Sequence, residues 1–139
     1  MDILNDVIWP NGVKEAIERE DVEKVKKIMK TADDFLSQFS PQMITVEEFK
    51  EDLKNLENLV IFDLRDKKSF DDNSIKNSIN VPFGLGLTEK VRELGTKKII
   101  LTCFAGKISS VAGDLLRKEG FSNVYVLQAG MMGYSNNFK

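Results

Sequence analysis

The 139-residue chain is 42% hydrophobic and 30% charged with a net charge of −2, which leaves room for one ordinary domain plus an appendage and describes a soluble surface. Its lysine pairs, Lys26-Lys27, Lys67-Lys68 and Lys97-Lys98, are scattered among acids and give no electrostatic footprint for nucleic acid, and no apolar run approaches the roughly 18 residues of a membrane-spanning helix. With no histidine and one cysteine, a Ser-His-Asp triad, a Cys-His dyad, a thiolate or imidazole zinc cage and an intramolecular disulfide are all excluded within the chain.

The acidic start, Met1 to Pro10, lacks the basic region of a secretory signal, so a reduced, cytoplasmic protein is expected. After the break at Pro10-Asn11-Gly12, residues 12 to 39 repeat apolar positions at helical spacing: Val13 and Ile17, then Val22, Val25, Ile28 and Met29, then Phe35, Leu36 and Phe39. Thr31 followed by Asp34 resembles a capping box, which predicts two or three short helices rather than one rod. Ser40-Pro41 ends this region.

From Gln42 onward strand and helix alternate. Met43-Ile44 predicts a brief strand, and Thr45 with Glu48 a capping box opening a helix whose inner face is Val46, Phe49 and Leu53. Leu59 to Leu64, apolar except for Asp63, suits a strand buried on both faces. Ser69 with Asp72 is read as the cap of a short helix, Ile79 to Val81 as a strand stopped by Pro82, and Thr88 as the start of a helix through Val91 and Leu94. Ile99 to Thr102 predicts the next strand, Ser109 to Glu119 the helix behind it with Gly120 as its terminator, and Val124 to Leu127 the last strand. The alternation predicts an α/β fold of three layers: a mostly parallel central sheet of about five short strands, helices on both faces, and an N-terminal helical extension in front. Sites in such sheets lie beyond the carboxyl ends of the strands, where Asp63-Leu64-Arg65, Pro82-Phe83-Gly84, the loop after Cys103 and Gln128 to Gly130 all fall.

Cys103 is the chemically distinctive residue. It sits where an apolar strand runs into a small loop and a helix, whose N–H groups and dipole favour a negative charge and hence a thiolate or a persulfide anion. The bland alternative is a small buried hydrophobe.

Four strand-end segments, in order, resemble the rhodanese family of sulfurtransferase domains over roughly residues 43 to 139. Asp63-Leu64-Arg65 is similar to the family's D-x-R, Asn80-Val81-Pro82 to its N-[IV]-P, Cys103 to Ser109 to its C-x-x-G-x-x-S loop, and Ala129-Gly130 with Tyr134 to its G-G-x-x-x-W ending. Asn73 to Ser78 keeps only the isoleucine of the family's G-H-I-x-G-A. Ser69 stands where a glutamate often pairs with the D-x-R arginine, so Arg65 is left to find another acid or to stay solvated. Lys107 is the only cation in the cysteine loop.

The resemblance implies a rhodanese-like domain over residues 43–139, with residues 1–42 as a helical extension packed on it. It implies a single-domain sulfurtransferase with Cys103 as catalytic nucleophile, taking sulfane sulfur from thiosulfate or a similar small anionic donor and passing it to a small thiol, cyanide or a protein acceptor, with no cofactor. Phe104, Ala105, Gly106, Lys107, Ile108 and Ser109 would form the substrate-binding loop, with Asp63 and Arg65 in support. Other roles stand beside these: Gly106 as a backbone device, Lys107 as an exposed lysine, Ser109 as a helix N-cap, Asp63 and Arg65 as strand-end groups shaping the loop, and Phe104, Phe83 and Met131 as pocket wall or core. The competing function is a non-catalytic rhodanese-like binding or regulatory module. A dual-specificity phosphatase loop would need an arginine six residues after the cysteine, where Ser109 stands. For residues 1 to 42 the competing reading is a separate arm for a partner or a dimer.

Overall fold

Three short helices occupy the first part of the chain: Val13–Glu18 (α1), Val22–Lys30 (α2) and the single turn Asp33–Leu36 (α3). The computed structural model describes residues 7–104, 106–131 and 134. Asp21 caps α2, its carboxylate accepting from the Lys24 amide. Thr31 does not open α3 as its spacing to Asp34 predicts. It closes α2 instead, its hydroxyl donating to the Ile28 carbonyl, and Ala32 precedes α3 without a side-chain cap.

The remaining elements follow the predicted alternation. They are Met43–Ile44 (β1), Val46–Asp52 (α4), Leu59–Asp63 (β2), Lys67–Asp72 (α5), Ile79–Asn80 (β3), Leu87–Glu93 (α6), Lys98–Thr102 (β4), Lys107–Lys118 (α7) and Val124–Leu127 (β5). The Thr45–Glu48 capping box forms as expected. The other side-chain caps read from serine and threonine do not. Asp66 caps α5, accepting from both the amide and the hydroxyl of Ser69, because a carboxylate one turn ahead of Ser69 outcompetes Ser69's own hydroxyl. Helices α6 and α7 begin one and two residues ahead of Thr88 and Ser109, directly after Gly86 and Gly106 in left-handed backbone.

The five strands form one parallel sheet in the order β1-β5-β4-β2-β3. Alternation along the strands sorts side chains onto two faces. Phe62, Ile99, Leu101, Val124 and Val126 join a buried cluster with Val111, Ala112 and Leu116 of α7, Leu87 and Val91 of α6, and Val13, Ala16, Ile17, Val25 and Met29 from α1 and α2. Ile61, Ile100 and Leu127 face the other way, onto Val46 and Phe49 of α4 and onto Ile75 and Met131, with Tyr134 packed edge-on to Phe49. The result is a three-layer α/β fold. Burying Val25 and Met29 to 2% each holds α2 on the first face; full burial of a large apolar side chain is worth about 1.5–3 kcal/mol.

Helix α7 lies close against β5 at Gly113, where an added Cβ would stand 2.4 Å from a methyl of Val126. Its outer side holds the segment leading into β1. Arg117 donates to the Ser40 carbonyl, and the buried Asp114 pairs with Arg117 and Lys118. Among the described residues, no helix is long and apolar enough to cross a membrane.

Candidate active site

Cys103 follows β4 directly and extends the register of Ile99 and Leu101, so its side chain falls on the face covered by α7 and α2. It is 3% exposed. Its Sγ lies 3.3 Å from the Oγ of Ser109, a fully buried residue in the first turn of α7. The amides of Lys107, Ile108 and Ser109 open that helix and have no acceptor within it, so the thiol sits beside the positive end of a 12-residue helix. The Ser110 hydroxyl donates to the Gly106 carbonyl and closes the turn from the other side.

The loop after β5 clamps this turn. The Met131 amide donates to the Cys103 carbonyl at 2.7 Å. Gly130, at φ +54°, packs so closely that an added Cβ would lie 2.5 Å from the Cys103 carbonyl oxygen and 2.9 Å from the Gly106 nitrogen. This close approach gives the Ala129-Gly130 dipeptide a structural meaning that its sequence position alone does not carry.

Beside the cysteine loop, Asp63 and Arg65 form a buried ion pair. The Arg65 Nε and Nη2 groups donate to the two carboxylate oxygens at 2.7–3.1 Å, and Nη2 also donates to the Asn73 carbonyl. The acid that Arg65 lacks at Ser69 is therefore supplied by Asp63, two residues earlier. Asn80 gives this motif its frame: its amide donates to the carbonyls of Asp63 and Arg65 at 3.1 and 2.8 Å. The Arg65 guanidinium lies 5.9 Å from the centre of the Phe104 ring, and neither Asp63 nor Arg65 hydrogen-bonds Cys103. The pair holds the neighbouring loop and does not reach the sulfur.

A pocket of about 450 Å³ opens onto Cys103. One wall is Cys103, Phe104, Lys107 and Ile108; the other is Val25, Lys26, Met29 and Lys30 of α2. The Lys26 ammonium stands 4.2 Å above the Phe104 ring. Lys107 lines the pocket, yet its ammonium donates to the carbonyls of Met29 and Lys30 at 3.1 and 3.3 Å, satisfying the last carbonyls of α2. Thus Cys103, Phe104, Lys107 and Ile108 meet at one cavity, with Gly106 and Ser109 behind them as turn and hydrogen-bond support. Ala105, also expected in the loop, lies outside the described residues. Ser109 is not the N-cap; it is inside the helix, turned toward the sulfur. The wall contributed by α2 is not foreseen from the sequence, where only its amphipathic spacing was visible.

Comparison with known proteins agrees with this fold. The rhodanese-like domain model matches residues 45–137. A thiosulfate sulfurtransferase, GlpE, of Pseudomonas syringae is 31% identical over 72 residues, covering 51% of this chain and 67% of that protein. A candidate sulfur carrier protein, YrkF, of Bacillus subtilis is 27% identical over 93 residues, covering 66% of this chain and half of that protein's length. A rhodanese-related protein from Thermoplasma volcanium superposes with a TM-score of 0.58 at 26% identity, over 70% of this chain and 95% of that one. The chain belongs to the rhodanese-like domain family.

Proposed function

We propose that this protein is a sulfurtransferase that carries sulfane sulfur as a persulfide on Cys103. The observation that carries this reading is the placement of a cysteine thiol at the head of α7, 3.3 Å from the Ser109 hydroxyl and on the wall of a pocket large enough for a donor or an acceptor. The relatives named as a sulfur carrier and a thiosulfate sulfurtransferase support the same chemistry.

With thiosulfate as donor, the Cys103 thiolate attacks the outer sulfur. The sulfur–sulfur bond breaks, and its electron pair leaves with sulfite. Cys103 then carries the outer sulfur as an anionic persulfide, and the total charge is unchanged. In this reading the Ser109 hydroxyl, with the first amides of α7 that lack acceptors within the helix, supplies donors to negative sulfur in both states, as preorganised donors stabilise a developing anion elsewhere. A thiol or cyanide acceptor then attacks the outer sulfur and returns Cys103 to the thiolate.

Intact-mass measurement after incubation with thiosulfate tests the reading. The wild type gains one sulfur atom and Cys103→Ser gains none. A wild type that gains no sulfur, from thiosulfate or from polysulfide, overturns it. The second reading, a binding module without catalysis, draws on the 3% exposure of Cys103 beneath α2, and the same experiment decides between them.

A further inference from the structure

Building on the sulfur-carrier reading of Cys103, we propose that α2 is the specificity wall of the site. The acceptor it selects is a small organic thiol with an apolar body and an anionic far end. Three features of the pocket lead to this class.

The first is size. At about 450 Å³ the pocket holds the volume of roughly fifteen waters at about 30 Å³ each, far more than cyanide or a five-atom inorganic anion occupies, and within the range of small organic ligands. The second is the nature of the walls. Val25, Met29, Phe104 and Ile108 present carbon to the cavity around the sulfur. Such walls reward burial of an apolar chain and offer a bare trioxoanion few donors.

The third is charge. Lys26 and Lys30 lie one turn apart on α2, share a face of that helix and both line the pocket. Neither forms an ion pair among the described residues. The third lysine, Lys107, is spent on the Met29 and Lys30 carbonyls. Lys26 rests on the face of the Phe104 ring, a contact that occupies none of its N–H donors. Among the described residues, the ammonium donors open to a ligand are therefore on α2, at the exposed rim, while the sulfur is at the buried end. An acceptor that fits both places its thiolate at Cys103, its chain along the apolar wall and its carboxylate or sulfonate at the lysines. In the transfer step its thiolate attacks the outer sulfur of the persulfide. The bond between that sulfur and Cys103 Sγ breaks, its electron pair stays on Cys103, and the organic persulfide leaves as an anion; the thiol's proton goes to solvent.

Two paired measurements test this. In the first, Cys103 is alkylated with ω-bromohexanoate or ω-bromohexanamide, which share a chain and differ in charge. This pair reads the pocket without relying on sulfur transfer. In the second, persulfidated protein is discharged with ω-mercaptohexanoate or ω-mercaptohexanol, which share a chain and differ in charge. Each lysine contributes as an exposed charge, so the carboxylate is expected to be favoured about fivefold in both measurements at low salt. The preference should vanish in the Lys26→Ala/Lys30→Ala double variant and shrink in high salt. Equal rates for the charged and neutral chains in the wild type, or a double variant that keeps the preference, overturn the proposal. A wild type that takes up no sulfur removes the acceptor role together with the sulfur-carrier reading, and the alkylation pair still decides whether the pocket selects an anionic apolar chain.

Discussion

Replacing Gly130 by alanine tests whether the loop after β5 sets the position of the cysteine turn. Two penalties add at this residue. The backbone is at φ +54°, where a side chain costs about 1–2 kcal/mol. The new Cβ would also meet the Cys103 carbonyl oxygen at 2.5 Å and the Gly106 nitrogen at 2.9 Å. Both are main-chain atoms and cannot rotate away, so relief requires moving the loop, which overpacking series place at about 1–3 kcal/mol. The sum is about 2–5 kcal/mol, or roughly 6–15 °C in melting temperature at about 3 °C per kcal/mol for a chain of this size. Gly95→Ala is the control: Gly95 has φ +63° with nothing within 4 Å of an added Cβ, so only the backbone penalty remains. Thermal and urea unfolding of the two variants give the contact penalty by difference. If Gly130→Ala costs no more than Gly95→Ala, the clamp described above does not constrain the turn.

Arg65→Met leaves the buried Asp63 carboxylate without its partner and is expected to cost about 3–5 kcal/mol in urea unfolding, with Arg65→Lys failing to restore the bidentate pair. Ser109→Ala removes the hydroxyl facing Cys103, and sulfur loading followed by mass should slow about tenfold or more, the worth of one hydrogen bond to an anion, while stability changes little. Burial opposes charge on Asp114, but hydrogen bonds from Lys118, the Ser40 amide and Arg117, with the Lys118 charge, hold its carboxyl below the usual 3.8. A depressed folded value means that this stabilisation is complete above the ordinary aspartate range and is lost as pH falls through the folded value. Asp114→Asn should therefore flatten the acid limb of stability below about pH 4, measured by urea midpoints; an unchanged acid limb refutes that role.

The strands were legible because a sheet buried on both faces demands nearly continuous apolar runs, and Leu59–Asp63, Lys98–Thr102 and Val124–Leu127 supply them. Helix starts were less so. Wherever Ser, Thr and Asp lie within one turn of each other, several caps are locally possible. At Asp66 and Ser69 the carboxylate won, and at Gly86 and Gly106 a left-handed glycine replaced the side-chain cap altogether. The partner of Arg65 was findable: residues two apart near a strand end project to the same side, which brings Asp63 within reach. The pocket wall from α2 was not. Val25, Lys26, Met29 and Lys30 show a helical face, but only the fold reveals that Lys107, more than seventy residues later, ties that helix across the cysteine loop.

The sheet ends at both sides in a strand of only two residues, Met43–Ile44 and Ile79–Asn80. An open parallel sheet is prone to templating further strands from other chains, and very short outer strands are one way of blunting that tendency. Among the described residues, neither margin offers a run of unpaired amides and carbonyls long enough to seat an extended peptide, although Met43 and Ile79 are each about half exposed. Recognition of another protein by strand addition is thereby disfavoured at either margin, which favours side chains and helix surfaces as the means of gripping a macromolecular partner.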